Sequence, residues 1–417
     1  MLKLFKDHTL FITYVVVFGG LLYGVYLSSG TKYLSYMWLY FLAFALFYMV
    51  FNLAVFKRII WSKIEKFSIS SSLIKIQYFA YFSLVAVVVH LVYLKGSPAM
   101  HAMQLNYVED VAILRNQITD NAPTWLGSLS AFTIRAFLPF LVMALVIKNK
   151  KYLYWIVLLV AVFYSFSLMQ KSYIVGILLP AMIYTILNKK WWYVLKYIAL
   201  NVIVVFGLSF VANPAGGSNP NYNGAVINGQ TIPVDNFSNA NDDDISFEEL
   251  NSEVNSQKSM ALRIAHGLLN RLTVVPGWVV SGWFNAIPQK KPFLMGDGYR
   301  ILALLRGHTY HNYSKELYPI IQPGYAAQGL TGTVNVASFM YEYSNFGSAG
   351  MVLSGFVLAL LLLTIETLFK NAFKFKISIN IFPILLLSSG AITTLLFSGG
   401  WGLMIFLYFV YLKNPEQ

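Results

Sequence analysis

Long apolar runs joined by short polar connections dominate the chain. A helix needs roughly 20 mainly apolar residues to cross the hydrocarbon core of a bilayer. That criterion predicts ten spans, at 10–29, 33–56, 74–95, 129–147, 152–169, 172–187, 192–211, 346–369, 378–397 and 400–412. The last run is short and follows two glycines, which is typical of a tilted or re-entrant piece. The first run lacks a small-residue cleavage motif and is interpreted as a retained span rather than a signal peptide.

The composition narrows the class of protein. Of 417 residues, 57% are hydrophobic and 11% are charged, whereas soluble domains are about 25% charged. The 17% aromatic content excludes disorder for most of the chain. The absence of cysteine excludes disulfides, thiolate metal sites and cysteine nucleophiles. These features predict an all-α polytopic membrane protein.

The positions of the cations predict an orientation. Cytoplasmic connections accumulate Lys and Arg. If the N-terminus is cytoplasmic, the short inner segments hold 17 of the 30 cations, and the short outer segments hold only Lys32, Lys95, Arg115, Arg135 and Lys171. We therefore predict ten spans with both termini in the cytoplasm. Much of the net charge of +13 is then a topology signal, and no nucleic-acid partner is expected.

The spans divide the chain into three regions. Residues 1–211 hold seven spans and a first external segment at 96–128, residues 212–332 form a large external loop, and residues 333–417 hold three spans. Within the loop, 213–257 is rich in Asn, Gly, Ser, Pro and acidic residues and is predicted to be mobile. Its three consecutive aspartates lack metal-ligand spacing, so no metal site is predicted. Residues 258–332 are predicted to be partly helical and to carry the chemistry.

Two groups of basic residues stand out in this second part of the loop. Residues 258–272 have helical periodicity, and Arg263, His266, Asn270 and Arg271 share the polar side. This helix either lies on the membrane surface or packs on the outer ends of the spans. Arg300, Arg306, His308 and His311 cluster further on. No phosphate-binding GxxxxGK[ST] loop, HExxH metal motif or GxSxG nucleophile motif occurs in the sequence.

Three stretches resemble the bacterial Wzy-type O-antigen and capsule polysaccharide polymerases. Arg271-Leu272, Val275-Pro276 and Phe284 are similar to that family's R-L-x-x-x-P segment with a downstream aromatic residue. Residues 335–339 (NVASF) and 345–350 (NFGSAG) are similar to its segment entering a late span, and Gln170-Lys171-Ser172-Tyr173 resembles its outer turn. The plan of many spans with one large, late external loop also fits.

The resemblance implies a metal-independent, cofactor-free glycosyltransferase with a GT-C-like fold. Such an enzyme joins undecaprenyl-pyrophosphate-linked oligosaccharide repeat units into O-antigen, capsule or exopolysaccharide. It works at the outer face of the cytoplasmic membrane, with its large loop in the periplasm or outside the cell. The implied partners are the lipid-linked oligosaccharides, membrane lipid, a chain-length-regulating co-polymerase and a flippase.

The chemistry of this reaction selects candidate site residues. A departing pyrophosphate gains negative charge, which fixed arginines stabilise well, and an acceptor hydroxyl needs a general base. The predicted catalytic residues are Arg271, Arg263, His308, His311 and Glu342, with the two histidines and Glu342 as rival bases. The predicted pyrophosphate- or substrate-binding residues are Lys171, Arg300, Arg306, Arg135, His266, Asn335 and Ser338. Of these, Asn335 and Ser338 are expected to cap or orient the late span.

Simpler roles and other functions stay open for the same residues. The arginines could be surface cations or could pair with Asp297 or Glu316, and Glu342 could pair with an arginine. An O-antigen ligase shares the fold, but that family shows a histidine beside the late Asn, where this chain has Val334. A lipid-linked oligosaccharide flippase or exporter is the alternative from another class. It would need charged residues lining a cavity among the spans.

Overall fold

The computed structural model describes residues 6–67, 75–107, 123–212, 273–327 and 332–413, with short pieces at 110–111, 114, 226–227, 230–231 and 270–271. Its helices, in chain order, are α1 (Thr9–Ser29), α2 (Leu34–Phe51), α3 (Ala54–Phe56), α4 (Ser62–Glu65), α5 (Ile76–Tyr93), α6 (Pro98–Ala102), α7 (Thr124–Phe132), α8 (Leu138–Ile147), α9 (Lys151–Ser167), α10 (Lys171–Leu187), α11 (Trp191–Ala212), α12 (Val274–Ala286), α13 (Arg300–Arg306), α14 (Tyr313–Glu316), α15 (Tyr318–Ile321), α16 (Pro323–Ala327), α17 (Ser338–Leu368), α18 (Phe373–Leu386), α19 (Ile392–Leu396) and α20 (Trp401–Tyr411). The π-helical segments Lys57–Trp61 and Thr133–Phe137 connect α3 to α4 and α7 to α8. Two antiparallel two-residue strands, β1 (Val226–Ile227) and β2 (Gln230–Thr231), pair within the long loop.

The prediction of a helical, polytopic membrane protein is confirmed in its main outline. Seven helices in the described ranges are long and apolar enough to cross a membrane: Thr9–Ser29, Leu34–Phe51, Ile76–Ala102, Thr124–Ile147, Trp191–Val211, Ser338–Leu368 and Ile392–Tyr411. Two further predicted spans form the apolar helices α9 and α10, which are shorter, at 17 residues each. The remaining predicted span, 378–397, is not one continuous helix.

The chain breaks in the middle of the predicted span 378–397. Helix α18 begins earlier, at Phe373, and ends at Leu386 after 14 residues, and the next long apolar segment is Ile392–Tyr411. The interruption, residues 387–391, contains two serines and Gly390, and the backbone N–H of Ser338 donates to the carbonyl of Leu387 over 2.9 Å. A helix end inside an apolar bundle needs such a partner for its carbonyls. Counting apolar residues does not reveal this interruption.

Helix α12, which the sequence places in the external loop, lies along the second half of α1. Gly277 and Gly24 meet backbone to backbone, and a Cβ on either would overlap the opposite main chain. Further along, Ser281 Oγ lies 3.2 Å from Ser29 Oγ, and Asn285 accepts a hydrogen bond from Lys32. Small residues at helix crossings permit close van der Waals packing in membrane proteins.

Two faces of the bundle are useful landmarks. Residues 287–327 are called the cap. The face of the bundle to which the cap belongs, where α1 ends and α2 begins, is called the cap face. The opposite face carries the start of α1 and the ends of α2 and α17. It also carries the turn between α10 and α11, because Lys374 Nζ donates to Asn188 Oδ1 over 2.6 Å.

A buried ion pair ties three helices together near the opposite face. Lys376 Nζ lies 2.5 Å from Glu366 Oε2, and both side chains are almost fully buried. Glu366 Oε1 accepts from the backbone N–H of Leu10 over 2.6 Å, and Lys376 also donates to the carbonyl of Lys6. The starts of α1 and α18 and the end of α17 are therefore fixed relative to one another.

Candidate functional site

The site begins with a reversal of the chain in α17. Gly347 has φ 62° and ψ −141°, a conformation that only glycine adopts readily. Gly350 then packs directly against the backbone carbonyl of Glu342. In a continuous helix, residues eight apart are separated by about 12 Å, so this contact requires that the chain fold back at Gly347. Residues 338–346 form one arm of a helical hairpin and residues 348–368 form the other.

The first arm enters the bundle interior. Phe339 stacks on Tyr40 of α2 with ring centroids 4.4 Å apart, and Ser338 is fully buried. Residues 333–337 before the arm are not helical. The chain thus runs into the bundle as far as Ser338 and returns toward the cap, which is a re-entrant arrangement. Such backbone is tolerated at membrane depth where protein covers it.

The cap is attached to the tip of this hairpin by main-chain hydrogen bonds. Leu294 N donates to Ser344 O and Met295 N to Asn345 O, each over 2.9 Å. The side chain of Asn345, which is buried, accepts from Gly298 N over 3.1 Å. These bonds hold residues 294–298 against the hairpin and so position the polar residues that follow.

Glu342 lies in the first arm and faces the cap. Its Oε1 accepts a hydrogen bond from the hydroxyl of Tyr299 over 3.3 Å. Its Oε2 is shielded from solvent and has no hydrogen-bond partner among the described residues; Ser354 lies close by without bonding geometry. Burial, followed by the nearby Glu342 carboxylate, raises the pKa of Tyr299, so its hydroxyl keeps the proton and donates. Among the described residues, Glu342 has no arginine partner, and its side-chain hydrogen bond is to Tyr299.

Asp297 contacts two of the predicted site residues, Arg306 and His308. His308 Nδ1 lies 2.9 Å from Asp297 Oδ2, and Arg306 lies 3.4 Å from Asp297 Oδ1 and also donates to the carbonyl of Met295. Both basic side chains are about half exposed. A carboxylate on Nδ1 favours the tautomer with its proton there, which leaves Nε2 as an acceptor. His308 therefore has the geometry of an oriented, accessible base.

A second histidine–carboxylate pair lies beside the first. His311 Nδ1 is 3.0 Å from Glu316 Oε1, and Lys291 Nζ is 3.1 Å from Glu316 Oε2. Burial alone would raise the pKa of Glu316, but the hydrogen bonds from Lys291 and His311 outweigh it and hold that pKa below its usual value. The backbone N–H of His311 also donates to Asp297 O over 3.0 Å. The two pairs therefore belong to one folded unit.

Helix α13 presents cations next to an exposed apolar surface. Arg300 and Arg306 are its first and last residues, and the Arg300 guanidinium lies 5.1 Å from the centre of the Tyr310 ring. Between them, Leu304 is 80% exposed and Leu305 76% exposed. Tyr299, the residue before α13, donates a hydrogen bond to Glu342. The start of α13 therefore lies next to the first arm of the hairpin, at the beginning of the apolar helix α17.

Three of the predicted cations lie elsewhere. Arg271 is exposed two residues before Thr273, which packs on Gly20 in the middle of α1. Helix α12, with its 13 residues or about 20 Å, separates Arg271 from the cap. Lys171, at the start of α10, donates to Ser209 Oγ over 2.8 Å. Arg135, in the π-helical segment, lies 3.4 Å from the carbonyl of Ser398.

Arg263 and His266 lie outside the described part of the chain, as do Asp242 to Asp244. The expected cap on the late span is wrong, because Ala337 is the N-cap and no side-chain cap bond forms there. Ser338 is instead the first helical residue, and its hydroxyl is buried without a hydrogen-bond partner among the described residues. Asn335 is exposed in the extended segment.

The structure shows four contacts that the sequence did not predict. Asp297 and Glu316 orient the two histidines, Tyr299 holds Glu342, and Asn345 anchors Gly298. The available signal was proximity in sequence for Asp297 and Glu316. Nothing in the local pattern joins Tyr299 to Glu342 or Gly298 to Asn345, because each pair is more than 40 residues apart. Within the described ranges, no group of three His, Asp or Glu residues could hold a metal ion.

Comparisons with known proteins identify no relative of the chain. No protein-family model matches it, no curated protein matches it, and no solved structure matches it. Its function is therefore inferred from its residues and their geometry.

Proposed function

We propose that the protein is a membrane glycosyltransferase that joins lipid-pyrophosphate-linked oligosaccharide repeat units on the exoplasmic side of a bacterial cytoplasmic membrane. In this proposal the cap is the catalytic region, the bundle has ten membrane-embedded apolar segments with a GT-C-like arrangement, and both termini are cytoplasmic. The resemblance of residues 271–284 and 335–350 to the Wzy-type polymerases supports this choice of reaction.

One observation carries the proposal: cations, an exposed apolar surface and an oriented base occur together beside the start of a span. The substrate is an amphiphile with a polyprenyl tail, two phosphates and a sugar chain. Helix α13 offers Arg300 and Arg306 for the phosphates and exposed Leu304 and Leu305 for the hydrocarbon. The neighbouring Tyr310 ring offers a stacking surface for a sugar. A soluble substrate would not need the apolar surface.

The proposed chemistry uses the cap residues in separate roles. The acceptor sugar hydroxyl attacks the anomeric carbon of the donor, and the bond from that carbon to the pyrophosphate oxygen breaks. His308 Nε2 takes the hydroxyl proton, while Asp297 holds the imidazole by Nδ1. The pyrophosphate departs with the bonding electron pair, and Arg300 and Arg306 stabilise its charge. His311 with Glu316 is the alternative base, and Glu342 is assigned a positioning role through Tyr299.

The experiment is elongation of a purified lipid-linked repeat unit in detergent, followed by gel analysis of glycan length. Removing one charge-stabilising donor costs about 3–4 kcal/mol of barrier in comparable sites, or roughly 10²- to 10³-fold in rate. We expect that loss for Arg300→Ala or Arg306→Ala. Lys315→Ala is the matched control, because Lys315 is an exposed cation of the same cap. Wild-type elongation by an Arg300→Ala/Arg306→Ala variant would refute the proposal.

A second candidate function, the flipping of lipid-linked oligosaccharides, is favoured by the interrupted helices. The non-helical segments 333–337 and 387–391 meet inside the bundle, where Ser338 N donates to Leu387 O. Transporters place broken helices at the middle of the membrane. Dithionite quenching of a fluorescent lipid-linked sugar in proteoliposomes distinguishes the two. Protein-dependent transbilayer movement without elongation would favour the flippase.

A further inference from the structure

A cavity on the opposite face, away from the cap, has the properties of an anion site. Its volume is about 350 Å³, within the range of small-molecule sites. It lies between the end of α8 with the following turn, the start of α9 and the start of α11. The residues that matter here are Asn149, Lys151, Tyr154, Trp155, Tyr193 and Lys196.

The ammonium group of Lys196 is surrounded by aromatic rings. Its Nζ lies 4.3 Å from the ring centre of Tyr193 and 4.4 Å from those of Tyr154 and Trp155. Ring faces attract a cation but accept no conventional hydrogen bonds from its N–H groups. Among the described residues, Lys196 has no carboxylate partner, in contrast to Lys291, Lys370 and Lys376.

The cavity as a whole carries uncompensated positive charge. Lys151 joins Lys196 in its wall, and none of the described side chains lining it is acidic. Asn149 adds an amide that can donate. Two lysines and an asparagine in the lining of one cavity supply the cationic and amide donors that are complementary to a phosphate group.

The surroundings of the cavity place it at a membrane boundary. It opens where helix α8 ends and α9 and α11 begin. Trp192, in its wall, is 84% exposed, and Trp155 is exposed as well. Exposed tryptophans at the ends of apolar helices are typical of the headgroup level of a bilayer. Phospholipid phosphates occupy the same level.

We propose that this cavity binds a phosphate group, held by Lys196 and Lys151 and flanked by Trp155 and Trp192, and that the phosphate belongs to an anionic phospholipid of the surrounding leaflet. The site is independent of the cap and of the glycosyltransferase proposal. A soluble inorganic phosphate has the same anionic chemistry, so the test must separate the two sources.

The test measures lipid binding to the full-length protein in detergent by native mass spectrometry. The probes are dioleoylphosphatidylglycerol, dioleoylphosphatidylcholine and inorganic phosphate. A basic side chain near an anionic lipid headgroup contributes about 1 kcal/mol, which corresponds to roughly fivefold in affinity. We therefore expect phosphatidylglycerol to bind in preference to phosphatidylcholine, and Lys196→Met to weaken its binding roughly fivefold. Lys151→Gln/Lys196→Met should weaken it further.

Two variants keep the test decisive. Lys196→Arg retains the charge and the stacking on aromatic rings, so it should fold as the wild type does and keep the preference for phosphatidylglycerol over phosphatidylcholine. Lys190→Gln removes an exposed cation from the turn just before α11, outside the cavity wall, and it should bind as the wild type does. Unchanged phosphatidylglycerol binding in Lys151→Gln/Lys196→Met, or equal binding of the two lipids, would overturn the proposal. Displacement of the lipid by an equal concentration of inorganic phosphate would overturn the lipid assignment.

Discussion

Replacing Lys376 by methionine should be among the most destabilising single changes at the opposite face. The ammonium group of Lys376 has two oxygen partners, Glu366 Oε2 at 2.5 Å and the carbonyl of Lys6 at 2.6 Å. The side chain is 1% exposed, so these two protein oxygens, and not bulk solvent, satisfy the ammonium group. Methionine fills a similar volume but leaves the Glu366 carboxylate buried beside an apolar side chain.

The expected loss of stability follows from the Glu366 carboxylate that the substitution leaves unpaired. Breaking a buried ion pair by removing one partner costs about 3–5 kcal/mol, and an exposed pair contributes about 0–1 kcal/mol. The chain offers a matched exposed pair on the same face, Lys370 with Glu65 at 2.9 Å. We expect Lys376→Met to lower the free energy of unfolding by about 3–5 kcal/mol, and Lys370→Met to lower it by less than about 1 kcal/mol.

Unfolding in mixed detergent–SDS micelles, followed by circular dichroism, measures both variants. Adding Glu366→Gln to Lys376→Met should recover much of the loss, because the buried charge disappears and the amide oxygen can still accept from Leu10 N. An equal, small effect of Lys376→Met and Lys370→Met would refute the reasoning. So would a double variant that is less stable than Lys376→Met alone.

Three further predictions concern packing, the hairpin and pH. Gly24→Ala should destabilise the protein by about 1–3 kcal/mol in the same assay, because the added methyl group overpacks the helix crossing. Gly19→Ala is the control: Gly19 has open space around it, so this change should be neutral or stabilising by about 0.5–1 kcal/mol. Equal effects of the two changes would contradict the close helix crossing. Tyr299→Phe should cost about 1–3 kcal/mol by leaving buried Glu342 without its donor, and unchanged thermal stability would contradict that bond. Because the pKa of Glu316 is lowered in the folded protein, its stabilising effect is present above its unfolded pKa of about 4.3 and is lost as pH falls through the folded value. The protection factors of the cap amides, which correct for the intrinsic slowing of exchange in acid, should therefore fall below about pH 4, and Glu316→Gln should remove its share of that fall.

The long apolar helices were predictable from the sequence because their signal is local. A run of 18 or more apolar residues has few alternatives to a membrane span, and α1, α5 and α11 begin and end within about two residues of the predicted bounds. The break after α18 and the reversal at Gly347 were not predictable in the same way. The first depends on a distant partner, because Ser338 contacts Leu387. The second is local, since Gly350 contacts Glu342 only eight residues away, but a count of apolar residues does not detect a reversal of the chain.

The candidate site was predictable only in part, and for the same reason. Arg306, His308 and Asp297 lie within twelve residues of one another, so their meeting required no knowledge of the fold. Arg271 was predicted to share their site because it is also basic, but the 13-residue helix α12 separates it from the cap. The Tyr299–Glu342 bond joins the cap to a re-entrant arm, and neither periodicity nor charge indicates such a contact.

Mass spectrometry of lipid-linked glycans from a strain lacking the protein tests the central claim most directly. If the cap joins repeat units, the deletion strain accumulates pyrophosphate-linked glycans of a single repeat unit and lacks longer ones, and restoring the wild-type gene restores the longer glycans. The Arg300→Ala/Arg306→Ala variant should not restore them. An unchanged distribution of lipid-linked multimers in the deletion strain would contradict the account.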